Sequence, residues 1–129
     1  MAGGKLSAKA TETVEFLDYI IIQCDHLAAS VEEFASMKKT SQADWLRQGI
    51  VRELGHLRQR AMVKNLGVLA DDIGRLAVLS SGGGSQAMKT RIMRDGVGSL
   101  KASCERMRKA TVDADRAEQA AKAHTTEGE

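Results

Sequence analysis

The sequence predicts an all-α protein, an antiparallel helical bundle, and three observations carry that prediction. Val14, Leu17, Ile21, Cys24, Ala28, Val31 and Ala35 recur at alternating steps of three and four, with Ile20, Leu27 and Phe34 beside them at steps of seven. Together they form an apolar band wide enough to touch two neighbouring helices. Similar stripes return in the rest of the chain, and no proline interrupts any of them.

The first helix is expected at about 7–39, where Glu12 and Glu15 near the start and Lys38 and Lys39 at the end suit the helix dipole. Thr40-Ser41 makes a short connection, and Ser41 with Asp44 has capping-box spacing, so the second helix is expected at 42–66. Its stripe of Leu46, Ile50, Leu54, Leu57 and Ala61 slips by one and resumes at Leu66, Leu69, Ile73 and Leu76. The slip coincides with Asn65-Leu66-Gly67, a left-handed cap signal, which places a turn at Gly67 and a third helix at 68–80. One drifting helix over 42–80, leaving three long helices in all, is the alternative. Ser80-Ser81-Gly82-Gly83-Gly84-Ser85 is the clearest loop. A last helix follows at 85–122, with Met93, Val97, Leu100, Cys104 and Met107 on its apolar face. Residues 1–124 read as one domain and 125–129 as a disordered tail.

With only Phe16, Tyr19, Phe34 and Trp45 as aromatics, the core must be aliphatic. Ten residues on the stripes are expected to be buried: Leu17, Ile21, Cys24, Val31, Leu54, Leu57, Leu69, Ile73, Leu100 and Met107. Cys24 and Cys104 fall on these stripes and read as buried free thiols. The start, MAGGKLSAKA, has no signal-peptide apolar run, and no stretch approaches the ~18 apolar residues of a membrane span. A cytoplasmic protein is the default expectation.

The charge is nearly balanced but segregated. Residues 1–37 hold two Lys against six acids, whereas 38–64 and 86–109 each hold seven Lys or Arg against two acids. This reads first as complementary packing within the bundle, and second as attraction for an acidic partner. Nucleic acid is a weaker third reading, because no aromatics interleave the basic residues for base stacking.

His56 is the candidate with chemistry. It is placed off the stripe of Leu54, Leu57 and Ala61, with Arg52 and Arg60 four residues to either side and Arg58 nearby. An outward imidazole among guanidiniums can bind or accept phosphate; an ordinary surface histidine is the plain alternative. The stretch from Asp44 to Ala77 resembles the histidine-containing phosphotransfer domain of relay systems. It carries His56, then Gly67 eleven positions later, then Val68-Leu69-Ala70-Asp71-Asp72-Ile73-Gly74-Arg75-Leu76. The resemblance implies a four-helix bundle with an exposed phospho-accepting His56 and an acidic receiver domain docking over it. The Lys and Gly of the family signature are replaced here by Gln59 and Arg60.

No metal or cofactor is expected. Glu53-x-x-His56 has di-iron spacing without a second such pair, and Cys24 and His26 point to different sides of a helix. Phe16, Tyr19 and Ile22, at steps of three, are a candidate partner surface, with a homodimer as one occupant. The sequence therefore reads as a non-enzymatic protein-interaction bundle, with a phosphotransfer module using His56 as the alternative.

Overall fold

A computed structural model describes residues 5–128, which form four helices and no strand: α1 Ala8–Ser36, α2 Thr40–Val63, α3 Gly67–Ser81 and α4 Gln86–Gly128. They pack as a ring in chain order. α1 lies mainly on α4 and α2 mainly on α3, with narrower contacts closing α1 against α2 and α3 against α4. The architecture is two tight antiparallel pairs laid face to face.

Local chemistry sets most of the boundaries. Ser7 caps α1 by accepting the Ala10 N–H on its Oγ, and Ser85 does the same for the Met88 N–H of α4. α1 ends at Ser36, before the expected Lys39, because Gln86 reaches across from α4 and donates to the carbonyls of Phe34 and Met37. The Phe34 carbonyl also accepts the Met37 N–H at 3.2 Å, which closes the last turn. α2 starts at Thr40 without a side-chain cap, so the Ser41–Asp44 capping box does not form. Asp44 instead binds Arg47 and Gln48 within its own helix.

The break between α2 and α3 is real, and the single-helix alternative is not. The chain closes α2 with a Schellman motif. Asn65 adopts φ 60°, its N–H reaches the Met62 carbonyl, and the Leu66 N–H reaches the Ala61 carbonyl. α2 therefore stops at Val63 rather than 66, and Gly67 opens α3 instead of forming the turn. α3 continues through Ser81, so the loop is only residues 82–85. Residues 125–128, expected in a disordered tail, continue α4 as helix. The alanine-rich sequence before them contains no breaker, and Glu129 lies outside the described residues.

The core is aliphatic. Leu17, Ile20, Cys24, Leu27, Val31 and Phe34 from α1 meet Leu54 and Leu57, Leu69 and Ile73, and Met93, Val97, Leu100 and Cys104 from the other helices. Eight of the ten residues expected to be buried are so; Ile21 and Met107 are half-buried against the core. The centre of the α1 stripe is displaced from the one the sequence suggests. Ala28 and Ala35 are exposed, while Leu27 and Phe34 are buried. α1 has two neighbours, and the larger side chains turn into the angle between them.

Both cysteines are free, and neither side chain is exposed to solvent. Burial pushes the Cys24 thiol up to about 12 and the Cys104 thiol to about 11. A thiol whose pKa is raised by folding stabilises the fold fully below the unfolded value, and that stability is lost as pH rises towards the folded one. Chemical denaturation should therefore show stability falling from about pH 9 upwards, with a flatter profile in a Cys24→Ala, Cys104→Ala variant. Native protein should react slowly with a thiol reagent, and unfolded protein should yield two reactive thiols.

Leu76 of α3 packs against the α4 backbone at Gly96, and a Cβ there would collide with Leu76 Cδ1. Gly96→Val should lower stability by about 1–3 kcal/mol in denaturant titrations, and Leu57→Ala by about 2–5 kcal/mol.

Candidate functional site

Three of the six acidic residues of α1 pair with α4. Asp18 pairs with Arg108 at 2.7 Å, Asp25 with Lys101 at 2.8 Å and Glu32 with Arg94 at 2.7 Å. The three pairs step by seven residues along both helices in opposite directions, forming one ladder along the seam. The Arg94 guanidinium holds the Glu32 carboxyl below its usual range, and the Asp25 carboxylate raises the Lys101 ammonium. Lys64, at the end of α2, takes Glu12 at 2.7 Å and lowers its pKa in the same way. Complementary packing thus accounts for the basic residues of α4 facing α1, but not for those of α2.

Basic side chains without an ion pair among the described residues remain on α4, at Lys89, Arg91 and Arg106, and on the outward face of α2. Among the described residues, Arg52, Arg58 and Arg60 form no ion pair with a carboxylate. His56 stands on this face with its side chain 67% exposed, and its Nδ1 is 3.8 Å from a Glu53 oxygen. At that distance the pair is ionic only when the imidazole is protonated, and no hydrogen bond is formed.

The two arginines nearest in sequence to His56 on its C-terminal side are drawn elsewhere. Arg60 lies over the Tyr19 ring, 5.2 Å from its centroid, a cation–π contact across the α1–α2 junction. Arg58 runs over α3 against Gly74, where a Cβ would come within 3.0 Å of its Cδ and Nε. Arg60, which stands where the phosphotransfer signature has Gly, therefore lies on Tyr19. Gly55 is bare, with no atom within 4 Å of the position a Cβ would take.

The triplet of Phe16, Tyr19 and Ile22 does not present one surface. Phe16 is buried in the core, Tyr19 is half-buried under Arg60 with its ring 6.2 Å from that of Phe16, and Ile22 alone is exposed. Helix α1 is covered on more than one side, and the triplet spans that cover. The exposed aromatic residue on α2 that sequence reasoning passed over is Trp45, which is 72% exposed, with Met62 and Val63 also exposed at the other end of the helix. Its signal was available: Trp45, Gly49, Arg52, His56, Gln59 and Val63 repeat at steps of four and three on the side opposite the core stripe.

Three openings follow the α1–α2 junction. One of about 230 Å³ is lined by Phe16, Gln59, Arg60, Val63 and Lys64. One of about 310 Å³ lies between Gln23, His26, Leu27 and Ser30 of α1 and Leu46, Gly49, Ile50 and Glu53 of α2. One of about 450 Å³ lies beside Met37, Ser41, Gln42 and Trp45. A larger depression of about 520 Å³ between α3 and α4 is floored by Leu76, Leu79, Ile92 and Leu100. Its charged rim is partly neutralised internally, with Asp72 bound to Arg75. Among the described residues no three His, Cys, Asp or Glu side chains converge to hold a metal ion, and no helix is long and apolar enough to cross a membrane.

Gly55 sits in mid-helix without a neighbour that requires it, so Gly55→Ala should raise stability by about 0.5–1 kcal/mol in thermal or denaturant unfolding. Compared with family models, with curated proteins and with solved structures, the chain finds no match.

Proposed function

We propose that this protein is a docking module that receives an acidic protein surface on the outward face of α2. The observation behind this reading is the pairing pattern. Asp18, Asp25 and Glu32 of α1 are paired with α4 and Glu12 with Lys64, while Arg52, Arg58 and Arg60 form no ion pair among the described residues. A face of like charge without internal partners draws an oppositely charged protein, raises its encounter rate and orients it. Bare backbone at Gly55 lets such a partner come close to the helix. The surroundings favour a protein over nucleic acid, because the exposed ring on this face, Trp45, stands apart from the arginines instead of alternating with them.

A second reading is supported by a specific observation. His56 is exposed and Arg60 lies on Tyr19, which leaves the imidazole accessible to an approaching acyl phosphate. Phosphotransfer from a receiver domain is the chemistry that such a histidine performs, with Arg52 placed one turn away to meet the phosphate charge.

One titration tests both. Full-length protein labelled for NMR is mixed with a panel of acidic receiver domains at low and high salt. The docking reading expects backbone shifts centred on residues 52–60, weakening as salt rises, and at least a tenfold loss of affinity in Arg52→Glu, Arg60→Glu. Shifts confined to α4, or binding indifferent to charge reversal, would sink it. With phosphorylated receivers, acid-labile and base-stable phosphate that vanishes in His56→Gln identifies a phosphotransfer protein. Salt-sensitive binding without label identifies a docking module alone.

A further inference from the structure

The outer side of α3 is exposed, and its residue types are arranged symmetrically about Ile73. Leu69, Ile73 and Leu76 turn into the core. On the opposite side Val68, Asp71, Arg75 and Val78 follow one another at steps of three, four and three, the spacing of a helix seam. Val68 and Val78 are each 71% exposed, and Leu79, beside Val78, is 53% exposed. Val68 lies five residues before Ile73 and Val78 five after it; Asp71 lies two before and Arg75 two after. The stripe is therefore apolar at both ends, with an acid and a base in its middle. Valine is a poorer helix former than alanine or lysine, so neither exposed valine helps α3 to form.

That order is complementary to a copy of itself running the other way. A two-fold axis crossing α3 at the level of Ile73 sets Val68 against Val78 of the second copy and Asp71 against Arg75 of the second copy, each contact occurring twice. A parallel pairing would set Asp71 against Asp71 and Arg75 against Arg75, which like charges oppose. Asp71 forms no ion pair among the described residues. Arg75 is held by Asp72 at 3.3 Å with its side chain 69% exposed, and its planar fork keeps further N–H donors for a second carboxylate. The same axis carries each flank of α3 onto the same flank of the second copy. Arg58, exposed and without an ion pair among the described residues, lies over Gly74, one turn from Asp71 on that flank. It is thereby brought towards Asp71 of the second copy.

We propose that the protein associates with a second copy of itself through the outer side of α3, with the two α3 helices antiparallel and crossing at Ile73. The valines close the two ends of the contact, and Asp71 meets Arg75 and Arg58 of the other copy between them. α3 has 15 residues, or about 22 Å of helix. The contact therefore falls in the small class of specific interfaces, and the dimer is weak and concentration-dependent. It does not rest on the docking reading above, with which it shares only Arg58.

Sedimentation of the full-length protein from about 10 μM to about 1 mM should show a reversible monomer–dimer equilibrium. Val78→Lys changes an exposed position near the end of α3, so it should keep the melting temperature of the monomer and weaken association about tenfold or more. Asp71→Arg faces Arg58 and Arg75 of the second copy and should weaken it about threefold or more. Cross-linking reads the orientation. A short bismaleimide should join Val68→Cys protein to Val78→Cys protein. It should join neither to itself, because two copies of one of these positions lie about 15 Å apart along the antiparallel helices. Cys24 and Cys104 are buried and do not compete. A chain that stays monomeric throughout, unchanged association in Val78→Lys, or self-cross-linking of either single variant would overturn the α3 dimer. Arg52→Glu, which weakens docking, should leave self-association unchanged. If it abolishes self-association instead, the copies meet through the α2 face and the α3 dimer falls.

Discussion

The rest of the structure depends on the register of α1 against α4. Two antiparallel helices can slide past each other at modest cost when their seam is a uniform aliphatic stripe. Here the ladder of Asp18–Arg108, Asp25–Lys101 and Glu32–Arg94 selects one alignment. Each exposed pair is weak by itself, worth a few tenths of a kcal/mol to about 1 kcal/mol. A shift of one turn would break all three together, setting the acids opposite Cys104, Val97 and Thr90 in one direction or Val112, Glu105 and Gly98 in the other. The apolar seam beneath supplies the larger stabilisation, because Leu17, Ile20, Cys24 and Val31 are removed from water almost completely. The ladder specifies the alignment, and the core makes it stable.

That register decides where charge is left over. Once α4 neutralises one flank of α1, the basic residues of α2 have little acid within reach. Lys64 finds Glu12 at the end of the helix, and Arg60 settles for the face of Tyr19. Among the described residues, Arg52 and Arg58 form no ion pair. The exposed position of His56 follows from the same geometry, since the core stripe of α2 runs through Leu54, Leu57 and Ala61 and leaves position 56 on the opposite side.

The pairing of α1 with α4 and α2 with α3 also explains where the openings occur. Each pair is tight along its length, the second held at its turn by the Schellman motif around Asn65. The two junctions between pairs are narrower, and both carry depressions. They differ in how they use glycine. At the α3–α4 junction Gly96 admits Leu76, so the missing side chain is filled from within the molecule. At the α1–α2 junction Gly49 admits nothing from the chain itself. Space of the first kind belongs to the core, and space of the second kind is open to an outside side chain.

The sequence by itself determined the fold class and most of the core, and it favoured four helices over three long ones. Helical periodicity is local, and the interruption at Asn65 and the glycines of 82–84 are backbone signals that need no tertiary partner. It also marked His56 as outward, because a helix face is determined by spacing alone. Helix ends were less legible where a distant residue decides them: α1 stops at Ser36 because Gln86, fifty residues later, takes its last carbonyls. The rotation of the α1 stripe towards Leu27 and Phe34 likewise required knowing which two helices are its neighbours. Spacing could not show that Phe16 is buried while Ile22 is exposed, because both lie off the main stripe and only packing separates them. Charge pairing was the least legible of all. Two segments of equal positive charge compete for one acidic helix, and only the tertiary arrangement, by placing α4 beside its acids and α2 beyond most of them, decided which segment is neutralised and which faces outward.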